Sequence, residues 1–145
     1  MNVPRTRVPS EVLKRGYSDE ELTSMYELGR TMAEHGEMKR AETIFQGLTE
    51  VAPQFAPAFI GMALVQFQAG QQELASQSIK QALKIAPQST EALLFLIACL
   101  LTSGDFSSAG TYLGEVGEMI EEGEVEDPSH IRFFKLQLAR YQNRA

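Results

Sequence analysis

Cysteine occurs once in this chain and histidine twice, and the 13 lysines and arginines are outnumbered by 19 aspartates and glutamates. Each scarcity removes a class of function. A lone cysteine builds no disulfide framework. Cys99 lies in the run Ala92-Leu93-Leu94-Phe95-Leu96-Ile97-Ala98-Cys99-Leu100-Leu101, where a small buried hydrophobe is expected rather than a nucleophile or ligand. A net charge of -6 argues against nucleic-acid binding, which rests on clustered lysine and arginine. The apolar run is about half of what a bilayer requires and is closed by Glu91 and Asp105, so it reads as a core helix with no membrane insertion. His35 and His130 have no second ligand at metal spacing, and no serine or cysteine stands in a nucleophile motif. Neither a glycine-rich phosphate loop nor the alternating oxygen ligands of a calcium loop occur. The expectation is a protein that is not an enzyme and uses no metal or cofactor. The opening Met1-Asn2-Val3-Pro4-Arg5 has no apolar targeting stretch, which points to the cytoplasm.

What is present is ordinary in amount and unusual in order. With 145 residues, 43% of them hydrophobic and 22% charged, the chain has the size and composition of one globular domain. Its charge is unevenly spread. Glu118, Glu121, Glu122, Glu124, Glu126 and Asp127 follow one another with no base among them, while Arg5, Arg7, Lys14 and Arg15 make the N-terminus basic. Laid against itself, the sequence repeats every 34 residues: Gly36, Gly70 and Gly104 share one phase, Ala41, Ala75 and Ala109 a second, Phe45, Ile79 and Leu113 a third, Pro53 and Pro87 a fourth. The glycine ends a first helix in a conformation that side chains resist, and the alanine lets a second helix approach it closely. The large apolar residue fills the layer between units, and the proline stops the second helix.

These residues resemble the tetratricopeptide repeat, whose unit runs Trp-x2-Leu-Gly-x2-Tyr, then Gly, Ala-x3-Phe-x2-Ala and Pro. Repeat one, 22–55, has Met25, Leu28-Gly29, Met32, Gly36, Ala41, Phe45, Leu48 and Pro53 at those places. Repeat two, 56–89, keeps Phe59, Met62-Ala63, Gly70, Ala75, Ile79, Ala82 and Pro87. Repeat three, 90–123, keeps Leu93, Leu96, Gly104, Ala109, Leu113 and Val116 but has Glu121 in place of the proline, so its second helix is expected to fray or run on into the acidic stretch. The implied fold is all-α: three helical hairpins in a right-handed solenoid with a C-terminal capping helix. The repeat domain is expected over 18–145, and 1–17 as an N-terminal extension, a short helix at 10–15 or a dimerisation arm.

The flanks fit this frame. Ser18-Asp19-Glu20-Glu21 reads as a capping box that starts the first repeat helix. Asp127-Pro128 reads as the start of a last helix at about 128–143, whose stripe of Ile131, Phe134, Leu138 and Tyr141 can cover the end of repeat three. Gly110, Gly114 and Gly117 weaken the sixth repeat helix by on the order of 1 kcal/mol each and suggest local flexibility.

The resemblance also implies a groove, because the second, fifth, ninth, twelfth and thirteenth residues of each tetratricopeptide unit face the ligand. Those positions hold Thr23, Tyr26, Arg30, Ala33 and Glu34 in repeat one, Pro57, Ile60, Leu64, Phe67 and Gln68 in repeat two, and Glu91, Leu94, Ala98, Leu101 and Thr102 in repeat three. From them Tyr26, Arg30, Ile60, Leu64, Phe67, Leu94, Ala98 and Leu101 are the expected partner-binding residues. The lysine, asparagine and arginine with which some members grip chaperone carboxylate tails are missing. The first helices of repeats two and three are apolar nearly all round, and such helices must be covered on every side, by the terminal helix, a second copy or a partner. Leu28-Gly29 through Phe45-Gln46-Gly47-Leu48, followed by Phe59-Ile60-Gly61-Met62-Ala63, is similar to the small tetratricopeptide chaperones of bacterial type III secretion. That resemblance implies a protein partner, a translocator or needle subunit, and a homodimer or co-chaperone heterodimer. A general adaptor in a multiprotein assembly is the alternative.

Overall fold

The computed structural model describes residues 16–144, so the segment expected at 10–15, and nearly all of the 1–17 extension, lie outside the described residues. Those described form seven helices in chain order: α1 (Asp19–Glu34), α2 (Met38–Val51), α3 (Ala56–Gln68), α4 (Gln72–Ile85), α5 (Thr90–Ser103), α6 (Phe106–Glu121) and α7 (Pro128–Gln142). Short connections pair them into three hairpins, α1/α2, α3/α4 and α5/α6, stacked in sequence with α7 against the last. The all-helical repeat architecture is therefore the one the 34-residue period predicts.

Local chemistry explains where each helix starts and stops. At α1 the capping box is complete: the Ser18 N–H donates to Glu21 Oε1 at 2.9 Å and the Glu21 N–H to Ser18 Oγ at 3.1 Å. The first helix of each hairpin ends at a glycine with positive φ, 80° at Gly36, 78° at Gly70 and 85° at Gly104. The following N–H then reaches back to the last turn, as from Glu37 to the Met32 carbonyl at 2.8 Å. α2 and α4 stop immediately before the Ala-Pro pairs Ala52-Pro53 and Ala86-Pro87. α6 has no such proline. It runs on to 16 residues against 14 in α2 and α4 and is closed by Gly123 at φ 79°, with the Glu124 N–H on the Met119 carbonyl at 2.9 Å. The expected running-on is thus two residues, and a glycine closure does what the proline does elsewhere.

The core consists of three clusters of buried residues. Ala41, Ala75 and Ala109 are fully buried between paired helices, and Phe45, Ile79 and Leu113 fill the layers. Phe45 is the tightest point. Gly29 of α1 and Gly61 of α3 both abut the Cδ1–Cε1 edge of its ring, so closely that a Cβ at either would stand 2.5 Å from it. The ring is 0% exposed and has no room to retreat.

α7 corrects the reading of the α6 glycines as flexibility. Ile131, Phe134, Leu138 and Tyr141 pack on the cluster shared by α5 and α6. A Cβ at Gly110 would lie 2.7 Å from the Tyr141 hydroxyl, and one at Gly117 would lie 3.5 Å from Phe134 Cζ, whereas Gly114 faces open space. Two of the three glycines therefore seat aromatic rings of the chain's own last helix.

These contacts give two stability predictions. Gly61→Ala gains about 1 kcal/mol of helix propensity but overpacks Phe45 at a cost of about 1–3 kcal/mol. The melting temperature should fall by several degrees at roughly 2–4 °C per kcal/mol, and Phe45→Leu in the same chain should recover part of the fall. A melt raised by about 2 °C or more, as the propensity gain alone would give, contradicts the slot. Gly114→Ala, by contrast, should raise stability by about 0.5–1 kcal/mol, and Gly110→Ala should fall clearly below it because Tyr141 must move. Equal responses at Gly110 and Gly114 in thermal denaturation contradict the seating of Tyr141.

Candidate functional site

The first helices of the hairpins, α1, α3 and α5, line one side of the stack, and the cleft between them has a volume of about 310 Å³. Arg30, Ile60, Leu64, Glu91, Leu94, Phe95, Ser129, His130 and Phe133 form its walls. Ile60 and Leu64 are one turn apart on α3, Glu91, Leu94 and Phe95 come from the N-terminal half of α5, and the last three come from the start of α7. The geometry follows from helical period: positions five and nine of a unit share a face, so each repeat delivers the same face to the cleft.

Of the eight residues expected there, the structure brings Arg30, Ile60, Leu64 and Leu94 together in one cleft. Tyr26 adjoins it through Arg30 and packs its ring on Phe45 and Phe55, at centroid distances of 5.8 and 6.3 Å. Phe67 stands edge-on to Phe95 at 5.7 Å, behind the wall. Ile60 and Leu94 line the cleft while only 4% and 2% exposed; Ala98 and Leu101 are buried as well but line no part of it, and Leu101 shares its cluster with the seated face of α7. Thr102, at another groove position, accepts a hydrogen bond from Arg140 Nη2 of α7 at 3.2 Å. The C-terminal part of repeat three is thus covered by the terminal helix. Sequence reasoning missed Phe95, Ser129, His130 and Phe133 as cleft residues; His130 is half-buried there. A second stripe along α7, with Ser129, Phe133, Gln137 and Arg140 at helical spacing, was the signal available.

Electrostatically the cleft is nearly self-contained. Arg30 Nη1 donates to Glu91 Oε1 at 2.8 Å, joining repeat one to repeat three, and also to the Tyr26 hydroxyl at 2.7 Å. Arg30 Nε is buried with no hydrogen-bond partner. Burial works against the charge of Arg30, yet Tyr26 and Glu91 outweigh it and hold its pKa above the ordinary value. Burial, with the Glu91 carboxylate beside it, raises the Tyr26 phenol as well, against the opposing pull of Arg30. Away from the cleft, burial pushes the Cys99 thiol up to about 11, which suits a core residue and not a thiolate. Among the described residues no group of three His, Cys, Asp or Glu stands together as a metal site, and no helix is long and apolar enough to cross a membrane. The arrangement presents an apolar surface with one compensated ion pair, suited to holding side chains.

No protein-family model and no curated protein matches the sequence. Solved structures do match. The type III secretion chaperone SycD from Yersinia enterocolitica, in complex with a peptide of the translocator YopD, is similar with a TM-score of 0.72 and 20% identity, over 86% of this chain and 92% of that one. PcrH from Pseudomonas aeruginosa gives 0.71 and 22%, over 88% and 93%. The Sgt2 TPR domain from Aspergillus fumigatus gives 0.69 and 16%, over 88% and 82%. At these identities the likeness establishes the fold, that of tetratricopeptide repeats.

The Tyr26 environment yields a pH prediction. A folded-state pKa raised above that of the unfolded chain contributes stability that is fully present below the ordinary phenol value of about 10 and is lost as pH rises through the folded value. In a phenolate absorbance titration of the folded protein, the late-titrating component should vanish in Tyr26→Phe. A titration curve in which Tyr26→Phe removes an early component would contradict the burial and the Glu91 contact.

Proposed function

We propose that this chain is a chaperone for a secreted protein: it holds an apolar segment of that partner in its concave cleft, keeps it soluble and unassembled, and releases it at a secretion machinery. The observation that carries the reading is the cleft, where Ile60, Leu64, Leu94, Phe95 and Phe133 surround an ion pair whose charges cancel. The similarity to SycD, which binds a translocator peptide, supports a client of the same kind, a translocator or needle subunit of type III secretion. Three or four guest side chains buried at about 1.5–3 kcal/mol each, less the cost of ordering the guest, correspond to roughly micromolar to nanomolar affinity. That range allows both shielding and release.

The proposal places the protein in the cytoplasm, with 18–145 as the repeat domain and 1–17 as an arm for a homodimer or co-chaperone heterodimer. Exposed Tyr17, just before α1, and exposed Leu28, past its midpoint, support an association along that helix. A second reading is a general adaptor, favoured by the comparable likeness to the Sgt2 domain.

Co-expression with secretion substrates encoded beside its gene tests the choice. Leu64→Asp should weaken client capture by about tenfold or more, since one anchor of the cleft is lost. Capture that persists, with helical circular dichroism intact, overturns the groove reading. If groove variants are silent and deletion of 1–16 abolishes association, the adaptor is correct.

A further inference from the structure

A helix that only closes the end of a solenoid needs one apolar face turned inward and a polar face turned to water. α7 has more than this. Ile131, Phe134, Leu138 and Tyr141 occupy its seated face. Roughly 100° round the helix, Phe133 lines the cleft with 37% of its surface exposed, and Leu136, a turn further on, is 58% exposed. Two large apolar side chains on a second face are costly to leave in water and have no role in seating the helix. The charge pattern is equally lopsided. The loop that leads into α7 carries Glu122, Glu124, Glu126 and Asp127 with no base. Within the loop Asp127 pairs with His130 at 3.9 Å, and among the described residues no lysine or arginine forms an ion pair with its acids. The Ser129 N–H of the cleft wall donates to Asp127 Oδ1 at 2.9 Å, so the acidic loop meets the cleft at its α7 end, whereas Arg30 at the other side is paired with Glu91.

We infer that α7 is a fourth wall of the guest site: the client segment is clasped between the repeat helices and Phe133, and it carries lysine or arginine where it emerges over the acidic loop. The inference rests on the groove reading above and specifies its guest as an extended apolar segment of a partner protein with a basic end. Charge complementarity argues for this occupant, because an apolar segment ending in acid would meet uncompensated carboxylates there.

The test uses the full chain and two fluorescent peptides of about twelve residues with one shared leucine- and valine-rich core, one ending in lysines and the other in glutamates. By anisotropy the lysine peptide should bind about tenfold or more tightly than the glutamate peptide, a preference that salt reduces. Phe133→Ser should weaken binding by about tenfold and Phe133→Leu should restore most of it, with helicity and melting unchanged because the ring is outside the core clusters. Glu124→Gln with Glu126→Gln should abolish the preference between peptides. If Leu64→Asp abolishes binding while the Phe133 and glutamate variants behave as wild type, the role of α7 is overturned and the groove reading stands. If Leu64→Asp also leaves binding unchanged, the groove reading itself fails. A tenfold gain in affinity on deleting residues 1–15 would overturn the assignment to a partner, since the occupant would then be the chain's own basic arm.

Discussion

The ring of Phe45 is held where two helices of different repeats come closest, and the geometry of the concave side descends from that contact. Gly29 and Gly61 allow α1 and α3 to meet over one edge of the ring. The same columns in the next layer are larger at the glycine places and smaller at the aromatic one: Ala63 and Phe95 stand where Gly29 and Gly61 do, with Ile79 where Phe45 does. Ala63 and Ile79 belong to one buried cluster, with Phe95 packed against it. Volume is traded between positions of the repeat, as close packing demands, so that layers of different composition hold similar spacing. With that spacing set, positions five and nine of successive repeats fall beside one another, and Ile60, Leu64 and Leu94 become one surface.

Most of this surface is already out of water: Ile60 is 4% and Leu94 2% exposed, and Leu64 is half-buried. α5 has eight buried residues of 14 and is apolar nearly all round, so its neighbours must enclose it. α4 and α6 cover two sides, and α7 takes a third, where Leu101 joins its cluster and Arg140 reaches Thr102. Arg140 also donates to Oε1 of Gln137, a polar side chain only 3% exposed, so one guanidinium serves both Thr102 and the buried amide oxygen. α7 covers the far end of the concave side and leaves the near end open. The cleft is what remains.

Much of this was legible in the sequence because tetratricopeptide chemistry is local. Ser18 and Glu21, the three helix-ending glycines, and Pro53 and Pro87 each act within a few residues of themselves, so their spacing announces the helices directly. The columns of small and large core residues repeat with the same period and announce the hairpins. The cleft was half legible through the resemblance: it implies groove positions on α1, α3 and α5, and Arg30, Ile60, Leu64 and Leu94 lie in the cleft. The rest depended on a helix outside the period. Nothing in the repeat fixes how α7 crosses α5 and α6, so the covering of Leu101, and the entry of His130 and Phe133 into the cleft, required its placement in space. The α6 glycines were misread for the same cause, since the rings that fill Gly110 and Gly117 sit some 17 to 31 residues further along the chain.

The Arg30–Glu91 pair bears on what the cleft selects. Both side chains are more than a third exposed, so the pair contributes at most about 1 kcal/mol to holding repeats one and three together, far less than the packing beneath it. Its larger consequence is local. A guest that covers the pair strengthens the attraction by excluding water, but it also removes solvation from both charges, and the two effects oppose each other. The compensation makes the middle of the cleft nearly indifferent to the guest's charge while leaving hydrogen-bonding capacity beside apolar walls. Discrimination must then come from elsewhere: from the shape set by Ile60, Leu64, Leu94 and Phe133, and from the uncompensated acids that precede α7. An apolar cleft with neutral middle and charged margin fixes the direction of a bound segment without demanding a particular sequence inside it.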